Sequence, residues 1–137
     1  MSIELWKDKV NKVVEPALFS KTAEEQAKQL SNDGKDNHGK DKLNKSSQLR
    51  RFFDEVVRLN DMAKNRQNPV PMELVLPSLH MLIAKASYAQ GRGLVSSSFV
   101  TLMRESINQV QDKNDLQIFT NFFEALMAFY KVYRPKD

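Results

Sequence analysis

Apolar residues recur every three or four positions along most of this chain, which is the spacing of one face of an α-helix. The pattern predicts six helical segments: 3–14, 20–31, 46–65, 71–90, 96–112 and 114–134. Pro16 is expected to end the first segment, and serines are expected to cap those that begin at Ser46 and Ser96. No stretch alternates apolar and polar residues for long enough to predict a sheet. The expected fold class is therefore all-α, a compact bundle.

The last segment is apolar over about half of its circumference, which predicts that it is the central helix of the bundle. Its inward positions are Leu116, Phe119, Phe122, Phe123, Leu126, Met127, Phe129, Tyr130 and Tyr133. Its narrow polar strip consists of Gln117, Thr120, Asn121, Glu124, Ala128 and Lys131. We expect the aromatic seam of this helix to pack against segment 46–65, through Leu49, Phe52, Phe53 and Val56.

Two stretches leave the helical pattern. Pro77 interrupts the segment 71–90, so that helix either begins near Pro77 or bends there. Residues 31–45 hold one apolar residue, two glycines and mixed charges, and they predict a mobile polar loop over 32–45. The expected organisation is a single helical domain, 1–137, with N-terminal helices over 1–31, this loop, and a main bundle over 46–134.

The composition excludes several classes of function. The 137 residues include no cysteine, so disulfides, thiolate metal sites and cysteine nucleophiles are ruled out. His38 and His80 have no partner at metal-ligand spacing, and there is no phosphate-binding loop motif. We therefore expect no catalytic residue, metal or cofactor, and the chain is not expected to be an enzyme. No signal-peptide core or membrane-spanning run is present, so we expect a cytoplasmic location without membrane contact.

The charges indicate where a partner could bind. The chain has 21 basic and 17 acidic residues, a net charge of +4, and every arginine lies after residue 45. The guanidinium fork suits phosphate, so a phosphate-binding surface is expected in this part of the chain.

The stretch "KASYAQGRG" (85–93) carries the sharpest pattern. Lys85, Tyr88 and Arg92 follow Met81 on one outward stripe, which offers charge to phosphates and a flat ring to sugars or bases. The alternative is that Gly91 caps the helix, the two cations favour its C-terminal dipole, and Tyr88 packs. On segment 46–65, Arg51 and Arg58 share an outward face that Asp54 and Glu55 could neutralise.

Three blocks together carry a family resemblance: "SSQLRRFFDEV", "KASYAQGR" and "FTNFFEALMAFYK". In this order they resemble the small subunit of type III-A CRISPR–Cas effector complexes, the Csm small subunit. The resemblance covers roughly residues 43–133. Phe129 departs from the pattern, because a tyrosine is expected at that position, and one polar contact is lost with its hydroxyl.

The resemblance implies a bundle of about five helices without an active site. Several copies would stack head to tail and hold guide RNA paired with target RNA through phosphates and sugars, beside the backbone and large subunits that carry the chemistry. The candidate RNA-binding residues are Gln48, Arg50, Arg51, Arg58, Lys85, Tyr88, Arg92 and Lys131. The remaining alternative is a helical adaptor between proteins, whose basic face docks an acidic partner.

Overall fold

The computed structural model describes residues 3–137, and the expected all-α class is confirmed. Its elements, in chain order, are β1 (Trp6–Asp8), β2 (Val13–Val14), a π-helical turn (Leu18–Thr22), α1 (Ala23–Asp33), α2 (Ser46–Lys64), α3 (Met72–Gly91), α4 (Ser97–Ile107) and α5 (Lys113–Tyr133). Residues 1 and 2, which belong to the predicted N-terminal segment, lie outside the described residues.

Helix α5 lies at the centre of the bundle, as predicted, because α1 and α2 both pack against it. Phe119, Phe122, Phe123 and Leu126 are fully buried along its length. The ring of Phe53 on α2 lies 5.4 Å from the ring of Phe123, measured between centroids, so the expected seam between α2 and α5 is present. Helix α3 packs on α2 and on α4 and completes the core.

The polar strip of α5 is narrower than predicted. Thr120 was expected to face water, but the structure buries it, and its hydroxyl donates a 2.7 Å hydrogen bond to the carbonyl oxygen of Leu116. A threonine on a helix can satisfy its hydroxyl in this way one turn back along the same helix, and this lets it be buried without a distant partner.

Two of the expected helix starts differ from the structure. Ser46 is the first helical residue of α2, and Lys45 occupies the N-cap position without a side-chain hydrogen bond. Helix α3 begins at Met72 and continues through Pro77, so the interpretation that it begins near Pro77 is wrong. The N–H groups of Leu74 and Val75 bond to the Pro71 carbonyl, and the helix is established before it reaches Pro77.

The prediction of a helix over 3–14 is wrong. The chain there forms an antiparallel hairpin in which Trp6 pairs with Val14 and Asp8 with Val13. The turn is held by Asp8, whose carboxylate accepts hydrogen bonds from the backbone and side chain of Asn11, and by Lys12 at a φ of 57°. Val10 is 92% exposed at the tip of the hairpin.

Contacts far along the chain explain why the hairpin displaces the helix. The indole N–H of Trp6 donates a 2.7 Å hydrogen bond to buried Asp115 at the start of α5, and the Lys9 ammonium lies 3.0 Å from the same carboxylate. Burial alone would raise the pKa of Asp115. Hydrogen bonds from the Gln111 N–H, Lys9 and Trp6 outweigh burial and lower the pKa, which keeps the carboxylate charged.

The predicted loop 32–45 begins two residues later than expected, because Asn32 and Asp33 still belong to α1; residues 34–45 contain no helix, and Asn44 ties their end into the core. The Asn44 side chain is buried, donates to the Leu30 carbonyl and the Ser96 hydroxyl, and accepts from the Ser96 N–H. The backbone carbonyl of Asn44 accepts a hydrogen bond from the hydroxyl of Tyr130 on α5. One residue thus joins α1, the start of α4 and the end of α5, whereas the mobility of the loop stays a prediction.

Arg134, directly after α5, closes the same region from the other side. Its side chain is fully buried, pairs with Asp137 at 2.5 Å and donates to the Leu43 carbonyl at 2.9 Å. Its Nε lies 3.1 Å from a carboxylate oxygen of Asp41 but is not aligned for a hydrogen bond. The Leu43 carbonyl and Arg134 also crowd Gly34, where any side chain would clash.

Candidate nucleic-acid interface

A groove of about 290 Å³ runs between α2 and α3, which pack side by side. Its floor is apolar and its rim is polar, an arrangement typical of ligand sites. The residues that line it are Gln48, Arg51, Phe52, Glu55, Leu82, Lys85, Tyr88, Ala89, Arg92 and Leu94. We call this the α2–α3 groove.

Five of the eight sequence-predicted residues meet at this groove. Gln48 and Arg51 lie one helical turn apart on α2, while Lys85 and Tyr88 lie on the facing side of α3 and Arg92 follows its end. Residues three apart on a helix are neighbours on one face, so each helix presents its pair toward the other. The two sequence blocks, about 40 positions apart, therefore form one surface.

The groove carries three cations, Arg51, Lys85 and Arg92. Within residues 3–137, Arg51, Lys85 and Arg92 form no ion pair. Glu55, the acidic residue of the lining, is held by Arg58 through contacts of 2.5 and 3.1 Å. The hydrogen bond from Arg58 lowers the pKa of Glu55, and the charge of Lys85 lowers it further. The groove is therefore positive at neutral pH.

Arg58 fits the alternative interpretation, in which a neighbouring carboxylate on the same helix neutralises the arginine. Its guanidinium is committed to Glu55 one turn before it, which makes this part of α2 a compensated, solvated face. That interpretation does not extend to Arg51, which has no such pair among the described residues.

Tyr88 is exposed and lies beneath Arg92. Its side chain is 69% accessible to solvent, so the interpretation that Tyr88 serves as packing is wrong. The guanidinium carbon of Arg92 lies 5.8 Å from the centroid of its ring, a cation–π distance. A flat ring and a guanidinium plane in contact can stack on a base or cover a sugar while the charge faces a phosphate.

Gly93, and not Gly91, is the left-handed residue of the motif that terminates helix α3. The N–H of Gly93 bonds to the Gln90 carbonyl and that of Leu94 to the Ala89 carbonyl, which is the Schellman arrangement. Gly93 has a φ of 72°, whereas Gly91 is the last helical residue without a positive φ. The expectation that Gly91 caps the helix is therefore wrong.

These conformations predict opposite effects of alanine at the two glycines. Added methyl groups at Gly91 and Gly93 would meet no atom within 4 Å, so only backbone conformation separates them. Gly91→Ala should raise the free energy of unfolding by up to about 1 kcal/mol, because alanine favours the helix. Gly93→Ala should lower it by about 1–2 kcal/mol, because of the left-handed φ. Urea unfolding of both variants checks this, and equal effects would contradict the assignment.

Arg50 and Lys131 lie on the other side of α2. They line a second groove, between α2 and α5, whose apolar wall includes Phe53 and Met127. This groove also contains Glu124 and Asp137, so its charges are mixed. The Lys131 ammonium donates a hydrogen bond to the carbonyl of Pro135. These two candidate residues are not part of the α2–α3 groove.

Ser96, at the start of the serine run 96–98, serves the fold. The Ser96 hydroxyl accepts a hydrogen bond from the Phe99 N–H and caps α4, as predicted. Across residues 3–137, no group of three or more His, Asp or Glu side chains is placed to hold a metal ion. In the same part of the chain, no helix has the length and hydropathy needed to span a membrane.

Sequence reasoning missed the floor of the groove. Phe52 was expected in the seam with the last segment, but it also lines the groove, together with Leu82, Ala89 and half-buried Leu94. The packing of Leu94 could have been predicted from the sequence, because an apolar residue commonly follows the glycine of a Schellman motif and packs back on the helix.

Comparison with known proteins identifies the family of the chain. The family model for Csm2 of type III-A matches residues 15–136 of the chain. The CRISPR system Cms protein Csm2 of Streptococcus thermophilus is 28% identical over 105 residues, which span 75% of this chain and 83% of that protein. No solved structure matches the chain. The chain belongs to the Csm2 family, the small subunits of type III-A Csm complexes.

Proposed function

We propose that this chain is a non-catalytic, RNA-binding small subunit of a type III-A interference complex. Several copies stack along the complex and hold the guide RNA–target RNA duplex through phosphate and sugar contacts. The observation that supports this proposal is the α2–α3 groove, where Arg51, Lys85 and Arg92 surround an apolar floor and form no ion pair within residues 3–137. Its partners are the two RNA strands, further copies of itself, and the backbone and large subunits.

The chemistry of the groove matches what an RNA duplex exposes. An A-form helix presents ribose hydroxyls in a wide, shallow minor groove lined by phosphates, whereas its major groove is too deep and narrow for side chains to read. Two arginines and a lysine supply the phosphate contacts, and Arg92 with Tyr88 supplies a flat surface for a sugar or an unpaired base. None of these contacts depends on sequence, which suits a subunit that serves many different guides.

The proposal is tested by assembling the effector complex with and without this chain. We expect the complex that lacks it to bind target RNA more weakly, while the nuclease activities of the other subunits persist on the target that remains bound. Gel-shift titration with labelled target RNA measures the affinity, and cleavage of saturated target measures the chemistry. Cleavage of RNA by the purified chain alone, lost on substitution of its own residues, would contradict a non-catalytic role.

The same preparation separates RNA binding from the adaptor alternative. A docking face for an acidic protein would leave target-RNA affinity unchanged when the chain is omitted, and the tagged chain would retain an acidic protein instead of RNA. Steep loss of affinity with rising salt, caused by counterion release from the RNA, is expected only for the RNA-binding role.

A further inference from the structure

Gln48 places a neutral amide on the rim of the α2–α3 groove. Gln48 lies in the first turn of α2, is half-buried, and lines the groove beside Arg51. Its backbone N–H is satisfied by the Lys45 carbonyl, whereas within residues 3–137 its side-chain amide makes no hydrogen bond. A half-buried amide without a protein partner is available to a ligand.

The amide differs in kind from its charged neighbours. Arginine and lysine only donate hydrogen bonds, and both suit phosphate oxygens, which only accept. A glutamine amide can both donate and accept, and so can a ribose 2′-hydroxyl. The three cations therefore suit the phosphates of a nucleic acid, whereas the Gln48 amide suits the ribose 2′-hydroxyl, the group that distinguishes RNA from DNA.

Spacing on α2 places this group correctly for a nucleotide. Gln48 and Arg51 are three residues apart, so their Cβ atoms are roughly 5–6 Å from each other on one helix face. Phe52 and Leu82 form the floor below them, against which the apolar face of a ribose can pack. A phosphate held by Arg51 thus places the neighbouring sugar next to the amide.

We propose that Gln48 hydrogen bonds a ribose 2′-hydroxyl beside the phosphate bound by Arg51, and so makes the subunit discriminate RNA from DNA. The inference rests on the proposed function and assigns a specificity-determining residue within the same groove. Tyr88 also carries a hydroxyl, but that side chain is 69% exposed with its ring under Arg92, which suits it to stacking.

The test compares Gln48→Leu with wild type in the assembled complex. Leucine keeps the approximate size of the side chain and removes both hydrogen-bonding groups. Target-RNA affinity is measured with all-ribose strands, then with 2′-fluoro sugars in the guide, then in the target. Fluorine keeps the A-form sugar pucker but removes the donor. In one of the two strands, 2′-fluoro sugars should lower the affinity of the wild-type complex at least threefold relative to ribose. In the Gln48→Leu complex, this ratio of the ribose affinity to the 2′-fluoro affinity should fall toward one.

Two control variants test whether the effect is specific to the Gln48 amide. Tyr88→Phe removes the hydroxyl of Tyr88 and keeps its ring, and Gln29→Leu changes an exposed glutamine on α1 that lies outside the groove. Both should keep the wild-type ratio between ribose and 2′-fluoro strands. Thermal melting of each purified variant confirms folding.

The possible failures are distinguishable. If omission of the chain weakens target binding but Gln48→Leu leaves the ratio unchanged, or if Tyr88→Phe abolishes it, the role of Gln48 is wrong and the proposed function stands. If omission of the chain leaves target affinity unchanged, the proposed function is wrong and the role of Gln48 falls with it.

Discussion

Phe123→Ala is expected to lower the free energy of unfolding by about 3–5 kcal/mol, the range for a buried aromatic side chain truncated to alanine. Phe123 is fully buried, and its ring centroid lies 5.4, 6.0 and 6.5 Å from those of Phe53, Phe119 and Phe99. These rings come from α2, α5 and α4, so the substitution opens a cavity where three helices meet. Urea unfolding followed by far-UV circular dichroism measures the effect.

Phe19→Ala is the matched control for this prediction. Phe19 is 39% exposed in the π-helical turn, so its truncation removes less buried area and should cost well under half as much. Comparable losses for the two variants would mean that the cluster around Phe123 is not the centre of the core. A near-wild-type midpoint for Phe123→Ala would contradict the position of α5 directly.

The helical part of the fold was predictable because its information is local. Segment 114–134 is apolar on so much of its surface that only a central position can bury it, and α5 occupies that position. Ser96 was identified as a cap from the polar residues that precede an apolar run, and its hydroxyl does accept from the Phe99 N–H. The helical period of apolar residues and the helix caps depend only on neighbouring residues, so both can be predicted without knowledge of distant contacts.

The N-terminal hairpin was not predictable for the opposite reason. Residues 3–14 fit a helical period, but Trp6 and Lys9 bond to Asp115, and the Leu5 N–H bonds to the Gln109 side chain. These partners lie more than 100 positions away. Tertiary contacts of this kind override a weak local preference, and nothing in a window of twelve residues reports them.

The candidate site was predictable in part, and helix geometry explains the division. Successive residues on a helix point about 100° apart, so Arg50 and Arg51 cannot both face one groove. The structure places Arg51 in the α2–α3 groove and Arg50 on the α5 side. Arg58 is one turn beyond Glu55, and the i,i+3 spacing allowed a pairing that the sequence could suggest but not decide.

Lys85→Ala combined with Arg92→Ala is expected to weaken target-RNA binding by the assembled complex about tenfold or more, since two charge-assisted contacts are lost. The loss should be similar for all guide sequences, because phosphates carry no sequence information. The slope of log affinity against log salt should fall by up to about two units, near one for each phosphate contact removed. Gel-shift titrations at several salt concentrations measure both quantities.

Tyr88→Ala separates stacking from charge in the same assay. It should lower affinity about fivefold or more with little change in the salt slope, because contact with a base or sugar releases no counterion. Lys28→Ala with Arg104→Ala removes two exposed cations that do not line the groove, and it controls for net charge.

The result that would overturn the assignment is equally specific. Arg92 directly follows α3, where positive charge favours the helix dipole by roughly 0.3–1 kcal/mol, whereas Lys85 lies more than one turn before the end of the helix. Unchanged RNA affinity with a lowered melting temperature would assign Lys85 and Arg92 to a structural role. An equal loss of affinity in the Lys28 and Arg104 control would instead assign the effect to net charge. Only a loss confined to the groove variants, with the slope reduced, places the phosphates between α2 and α3.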